Sequence, residues 1–395
     1  MYRGKSVAVV VPAYNEEGFV GDVVRTLPSF VDRAYVVDDA STDGTWEEIQ
    51  RVAARLNARR RADDADRPTV VSIRHETNRG VGAAIKSGYR RVRRDGIDVA
   101  AVMNGDGQMD PDILHRIIDP VVRDQVDYAK GNRLLDGEHF AEMSTFRLVG
   151  NFLLTYLTKV ASGYWKTMDP QNGYTAISSR ALSALDIDAL YDGYGFCNDI
   201  LIQLNARGMR VADVSMEAIY GEESSSIQYR SFIPRVSALL LTGFLWRLRE
   251  RYLLYDFHPL VALYAVGAFG TGVSLLAAIG LLVFTAASLT GFLLTITLFV
   301  VSTTVLALGA TFDLSNNVDR ELRVHRSTRR APITRSAISV PQHSEAADAG
   351  SGATRVAGPT STTTGLAEPR DSTEATTDPV ESEPSDEPVT PGQSE

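Results

Sequence analysis

The run Val99-Ala100-Ala101-Val102-Met103, joined directly to Asn104-Gly105-Asp106-Gly107-Gln108-Met109-Asp110-Pro111-Asp112, decides how the first half of this chain is read. Its first five residues are apolar without a break, as in a strand buried on both faces; a half-solvated strand would alternate. From Asn104 onward the chain turns to short polar side chains and glycines, with Pro111 opening a helix. Gly, Asn and Asp are ordinary turn formers. Taken alone, the stretch reads as a turn or as a site for a cation and an anion.

The same grammar recurs on either side. Val7–Val11 runs into Pro12-Ala13-Tyr14-Asn15-Glu16-Glu17, and a helix follows with Phe19, Val20, Val23, Val24 and Leu27 at helical spacing. Ala34–Val37 is closed by Asp38-Asp39-Ala40-Ser41-Thr42-Asp43-Gly44, ahead of a helix over Thr45–Leu56. After a charged loop, Arg59–Pro68, come a strand at Val70–Ile73 and a helix at Val81–Arg94; Pro111–Arg123 is the helix after the quoted loop. Apolar strands alternating with helices predict an α/β, Rossmann-like, mostly parallel sheet covered on both faces. Such sheets bind ligands beyond the carboxyl ends of their strands. All four polar clusters sit there, which favours a site over plain turns.

The residue types suggest the chemistry. Asp39 can accept hydrogen bonds from a nucleobase or ribose, while Ser41 and Asp43 suit turn and cap roles. Arg79-Gly80-Val81-Gly82-Ala83-Ala84 has the look of a dinucleotide fingerprint, yet it follows the third strand rather than the first, which argues against a nicotinamide-binding domain. Its glycines still allow a nucleotide close to the backbone, so Gly80 and, one turn into the helix, Lys86 join the candidates for holding a donor. Asn104, Asp106 and Gln108 are hard oxygen donors of the kind Mg2+ or Mn2+ uses together with phosphate oxygens and water.

Together, Pro12-Ala13-Tyr14-Asn15-Glu16, Val37-Asp38-Asp39-Ala40-Ser41 with Asp43-Gly44-Thr45, Asn78-Arg79-Gly80-Val81-Gly82-Ala83-Ala84-Ile85 with Gly88, and Gly105-Asp106-Gly107-Gln108 resemble the family-2 glycosyltransferases of the dolichol-phosphate mannosyltransferase and polyprenyl-phosphate glucosyltransferase type. The resemblance runs over roughly residues 6–226. Gly131-Asn132-Arg133, Asp169-Pro170-Gln171-Asn172-Gly173-Tyr174 and Ile219-Tyr220-Gly221-Glu222 extend it. It implies a GT-A glycosyltransferase fold and inverting transfer of a hexose from GDP-mannose or UDP-glucose to a polyprenyl or dolichyl phosphate. By the same resemblance Pro12, Tyr14, Glu16 and Asp39 hold the nucleotide, Asp106 and Gln108 hold the metal and diphosphate, and Arg133 and Arg147 hold the lipid phosphate. Asn104 departs from the aspartate usual at its position; an amide oxygen can still coordinate, with less charge. Asp199 is a candidate base or orienting group, with a structural role weighed equally. The alternatives are transfer to a lipid-linked oligosaccharide or polysaccharide, and a degenerate sugar-nucleotide-binding scaffold. A processive synthase would usually carry a Gln-x-x-Arg-Trp element, which is absent here.

The second half is organised by the membrane. Phe257 to Phe312 contains no Asp, Glu, Lys or Arg, and its two apolar blocks, Leu260–Phe284 and Phe292–Phe312, are each long enough to span a bilayer. Arg247, Arg249 and Arg251 precede them and Arg320, Arg323, Arg326, Arg329 and Arg330 follow, so the positive-inside rule predicts a hairpin with the catalytic domain and both flanks cytoplasmic. Phe232, Ile233, Val236, Leu239, Leu240, Phe244 and Leu248 repeat at helical spacing beside arginines, predicting an interfacial helix on membrane lipid; Phe146–Val160 is a second candidate. No cleavable signal is recognised near Met1, and Cys197 as the single cysteine excludes an intrachain disulfide. Beyond Ala331 the chain is rich in Ser, Thr, Pro and acids, a composition unable to bury a core. Three arginines against eleven acids give that tail −8 of the total charge of −9, and no nucleic-acid partner is expected. The boundaries expected are a catalytic domain over 1–230, an amphipathic segment over 231–257, two spans within 258–313, a basic segment over 314–330 and a disordered tail over 331–395.

Overall fold

The computed structural model describes residues 1–62, 69–135, 145–217, 229–255, 257–283 and 288–325; the acidic tail, the Ile219–Glu222 motif and Arg326, Arg329 and Arg330 lie outside them. In chain order the elements are β1 (Val7–Ala13), α1 (Val20–Arg25), β2 (Arg33–Asp38), α2 (Thr45–Ala62), β3 (Thr69–Arg74), α3 (Val81–Arg94), β4 (Val99–Val102), α4 (Leu114–Val122), β5 (Tyr128–Asn132), α5 (Thr145–Ser162), β6 (Thr175–Ser178), α6 (Ser179–Ala184), α7 (Phe196–Ala206), β7 (Val211–Ser215), α8 (Tyr229–Arg247), α9 (Leu260–Val283), α10 (Leu289–Asn317) and β8 (Glu321–Val324). A π-helical stretch, Leu248–Tyr255, joins α8 to the segment before α9.

Among the described residues eight strands form one sheet in the order β3-β2-β1-β4-β6-β5-β7-β8, with β6 alone antiparallel to its neighbours. Period-two alternation along β1 explains its double burial. Val7, Val9 and Val11 face a core shared with α1, α2 and α4, while Ala8 and Val10 face one shared with α3, α6 and α7. Helix α3 lies close on the sheet because Gly88 has no side chain: a Cβ there would come within 2.3 Å of Val10 Cγ1.

The membrane-side elements depart from expectation in an informative way. Helix α8 presents Val236 and Leu240 to Ala161 of α5 and Ile202 of α7, so one face belongs to the catalytic domain. Elsewhere along it Ile233, Leu241 and Leu245 are exposed, as are Phe152, Leu153 and Tyr156 on α5. The expected interfacial helix therefore carries apolar side chains of both kinds, packed and open.

Helices α9 and α10 are long and apolar enough to cross a membrane. They pack through small residues, Gly267 against Leu306 and Gly270 against Ser302, and carry outward apolar side chains such as Phe269 and Leu276, 76% and 70% exposed.

Two of the arginines expected near lipid headgroups are instead interior. Arg247 is fully buried and binds Asp313 of α10 through both forks, Nη1–Oδ1 3.0 Å and Nη2–Oδ2 2.8 Å. Arg251 is buried and donates to the Asn205 carbonyl and, at 2.7 Å, to Asn317 Oδ1. A planar guanidinium matches a carboxylate bidentately, and Asp313, the first acid after the charge-free stretch, supplies one. The basic segment over 314–330 is corrected too. Residues 321–324 form β8, pairing parallel with β7 and extending the catalytic sheet beyond the hairpin.

Candidate active site

The carboxyl edge of the sheet is laced together by its own loops. Asp39 N–H donates to the Ala13 carbonyl at 2.9 Å and Gly105 N–H to the Pro12 carbonyl at 3.0 Å, so the loops after β2 and β4 both hang on the end of β1. Asn15, with φ 57°, donates its N–H to Ser41 Oγ and accepts from Thr42 N–H at 2.9 Å each. Glu16 N–H donates to Thr45 Oγ1 at 2.8 Å, and Asp43 caps α2 by accepting from Thr45 N–H at 3.1 Å, the role its sequence context implies. Pro12 is buried, Glu16 half-buried and Tyr14 exposed at this rim.

Asp39 sits where expected but is occupied by protein. Its Oδ2 accepts Gly80 N–H at 2.6 Å, both oxygens accept Arg79 N–H, and Oδ1 lies 2.6 Å from His75 Nδ1. His75 Nε2 in turn contacts Ser87 Oγ at 2.9 Å. Asp39 thus shapes the turn at Gly80, whose φ of 96° and proximity to the Asp192 carbonyl (2.7 Å from any added Cβ) require glycine. His75 and Ser87 belong to no motif, so sequence reasoning misses them.

The loop after β4 forms the floor. Burial pushes the Asp106 carboxyl pKa up, opposed by hydrogen bonds from Gln108 N–H (3.0 Å to Oδ1) and from the Asn104 side chain. Asn104 thus serves the aspartate as a donor, where a second carboxylate would repel it. Among the described residues no three His, Cys, Asp or Glu side chains group as a metal site. One half-buried carboxylate with amide oxygens beside it nonetheless suits a hard divalent ion that takes its other ligands from diphosphate and water.

Across the loop, Gly173 approaches Asn104 and Met109, and Tyr174 OH donates to the Asp110 carbonyl at 2.9 Å. This segment carries Asp169, a buried aspartate with φ 48°. Arg133, just past β5, clamps it with Nε–Oδ2 and Nη2–Oδ1 bonds of 2.8 Å each. Burial works to raise the Asp169 pKa, and the Arg133 hydrogen bonds and charge outweigh it, leaving it below the ordinary value. Lys130, buried 3.1 Å from Asp213, also reaches the carbonyls of Met168 and Asp169. Lys130 and Asp213 are two further residues that the sequence does not single out; a lysine and an aspartate inside separate strands give no signal until the sheet pairs them. Arg147 is on α5, but its side chain lies outside the described residues.

Two further candidates face inward. Lys86 is buried, and its three ammonium hydrogens go to the Asp188 carbonyl (2.9 Å), the Leu190 carbonyl (2.6 Å) and Asp192 Oδ1 (2.8 Å); it holds the loop behind Gly80 and has no donor left for a nucleotide. Asp199 is likewise buried, its carboxyl pushed up by burial while Oδ2 accepts Tyr191 N–H at 2.9 Å. Both charges face inward because the loop over 188–192 leaves backbone groups to be satisfied.

Residues 8–185 match the family described as "Glycosyl transferase family 2". A UDP-N-acetylglucosamine–dolichyl-phosphate N-acetylglucosaminyltransferase of Methanococcus voltae is 31% identical over 222 residues, covering 56% of this chain and 88% of its own. An undecaprenyl-phosphate mannosyltransferase of Micrococcus luteus is 28% identical, over 56% and 86%. Among solved structures, a glucosyl-3-phosphoglycerate synthase from Mycobacterium tuberculosis with Mn2+ and UDP-glucose aligns at TM-score 0.44 and 19% identity, over 62% of this chain and 79% of that one. With the loop motifs in order on a mostly parallel sheet, the chain belongs to glycosyl transferase family 2 and is a glycosyltransferase.

Proposed function

We propose that this enzyme transfers a sugar from a sugar nucleotide to the phosphate of a polyprenyl phosphate at the membrane surface, inverting the anomeric centre. The observation that carries the reading is Arg133, a half-exposed guanidinium at the sheet's carboxyl edge, one loop away from Asp106, in a chain with two helices long enough to cross a bilayer. The named relatives transfer different sugars, N-acetylglucosamine and mannose, yet their names share a polyprenyl-phosphate acceptor, so the acceptor class is the part that transfers. GDP-mannose, UDP-glucose and UDP-N-acetylglucosamine are the donors to screen.

The acceptor phosphate is an oxyanion at neutral pH, so the displacement needs no general base. Its oxygen forms the new bond to the anomeric carbon as the bond to the nucleotide diphosphate breaks on the opposite face. Asp106, with Gln108 and Asn104 beside it, would hold Mg2+ or Mn2+, and the ion would supply positive charge for the leaving diphosphate. Pro12, Tyr14 and Glu16 line the rim for the nucleotide, and Asp39 fixes the Gly80 turn against which it lies. Arg133 and Arg147 hold the lipid phosphate. The open apolar face of α5 and α8 rests on the bilayer, bringing the site to its acceptor. Both ends of the hairpin attach to the catalytic domain, α8 before it and β8 after it, which supports a topology with both flanks on the cytoplasmic face, where the donor is found.

The test is incubation of the purified enzyme in vesicles with each radiolabelled sugar nucleotide, polyprenyl phosphate and Mn2+ or Mg2+. Organic-extractable label released by mild acid is expected for one donor. Label entering only a lipid-linked oligosaccharide, or none of the lipid, would defeat the reading.

A further inference from the structure

The chain beyond the second span does more than leave the membrane. As β8 it pairs with β7 from Val211↔Glu321 to Val214↔Val324. The first of its residues, Glu321, is buried. Its Oε1 accepts Trp165 N–H at 2.8 Å, and its Oε2 accepts Lys166 N–H at 2.6 Å and Thr167 N–H at 2.9 Å. Lys166 Nζ donates to the Val318 carbonyl at 2.6 Å, and Arg323 Nη2 to the Lys166 carbonyl at 2.8 Å. The next backbone N–H, Met168, goes to Asp213 Oδ2 at 2.7 Å, on the strand that β8 pairs with. The backbone N–H groups of four successive residues, Trp165 to Met168, are thus all bonded, and the next residue is the aspartate that Arg133 grips. Asp169 has φ 48°, in the left-handed region that aspartate enters more readily than most residues and that the bonds around it hold in place here.

We propose that Glu321 is a positioning residue for the acceptor site: by fixing the Trp165–Thr167 backbone it sets Asp169, and through Asp169 the guanidinium of Arg133. The end of the membrane hairpin is thereby wired first into the part of the site assigned to the lipid phosphate, and the same segment meets the loop of Asp106 only at its far end, through Gly173 and Tyr174. The proposal rests on Arg133 being the group that holds the acceptor.

The test uses the full-length enzyme in vesicles, wild type against Glu321→Gln and Glu321→Asp. In Glu321→Gln the apparent KM for polyprenyl phosphate should rise about tenfold, the scale of one hydrogen bond to a charged group, with the KM for the nucleotide sugar unchanged. Glu321→Asp, which restores the carboxylate, should recover part of the loss. Amide hydrogen exchange should quicken over residues 165–173 while nucleoside diphosphate with Mn2+ binds as in wild type. An unchanged acceptor KM, or equal loss of both substrates, would overturn the proposal. Exchange over 165–173 does not depend on the acceptor, so it judges the Glu321 link separately: unchanged exchange refutes the link, whereas a wild-type enzyme that leaves polyprenyl phosphate unlabelled refutes only the acceptor reading.

Discussion

Replacing Asp313 by alanine isolates the contact that joins the second span to the catalytic domain. Arg247 has five N–H donors and five acceptors within reach: Ala161 carbonyl at 2.8 Å, Val160 carbonyl at 3.1 Å, Asn205 Oδ1 at 3.4 Å and the two Asp313 oxygens. Burial disfavours its charge, and Asp313 outweighs that, so its pKa stands above the ordinary value and the guanidinium stays charged. Removing Asp313 strips two of the five bonds, the counter-ion, and the partner of Tyr252 OH (2.8 Å). Leaving one member of a buried pair uncompensated costs about 3–5 kcal/mol. At roughly 2–4 °C per kcal/mol for a domain of this size, the midpoint of thermal unfolding should fall by about 10 °C. The assay is intrinsic fluorescence on heating in detergent, with the double variant Arg247→Met/Asp313→Leu as the decisive arm. Replacing both charges by apolar groups of similar volume removes the uncompensated charge, while the Ala161, Val160 and Asn205 oxygens and Tyr252 OH lose partners, so the double variant should unfold between Asp313→Ala and wild type. A double variant less stable than Asp313→Ala, or a single variant that does not shift, would refute the account of this contact as a desolvated ion pair.

Asp106→Ala should lower kcat by about a hundredfold or more, the scale of losing one preorganised electrostatic stabiliser, and should abolish Mn2+-dependent nucleoside diphosphate binding by calorimetry; near-normal turnover would reject the metal assignment. Arg133→Ala should raise the KM for the lipid phosphate and leave that for the nucleotide sugar alone, because its guanidinium faces Asp169 and not the donor loops; steady-state kinetics with each substrate varied decides. Asp98 accepts both Ser6 N–H (2.8 Å) and Ser6 Oγ–H (2.7 Å), chiefly the backbone donor holding its pKa below the ordinary carboxylate value. Its contribution is therefore present above the unfolded pKa of about 3.9 and lost as pH falls through the lower folded value. Asp98→Asn should reduce stability at neutral pH and flatten the acid limb of a stability–pH curve; an unaltered limb would remove Asp98 from that role.

Strand and helix positions are legible wherever hydrophobic period and length speak together. The helix that the sequence predicts over Val81–Arg94 is observed with identical ends, and Val99 through Val102 is the buried strand that its unbroken apolar run implies. The loop clusters lie at carboxyl ends because a parallel sheet puts every strand–helix turn on one edge. Charge is less legible. Lys86, Asp199, Arg247 and Arg251 read as ligands or membrane cations, since a charged side chain in sequence looks solvent-bound by default. Each has an interior partner that only folding brings within reach, over 66 residues in the case of Arg247 and Asp313.

By itself, then, the chain's linear pattern determined the sheet-and-helix alternation, the family motifs and the two apolar helices, because these depend on periodicities and spacings local to each segment. Only the tertiary structure decided that four residues beyond the hairpin return as β8, that Glu321 braces the loop leading to Asp169, and that Arg247 and Arg251 before the spans turn inward. A four-residue strand has too few positions to show a period, and a buried ion pair is defined by two distant side chains meeting in a space from which water has been removed.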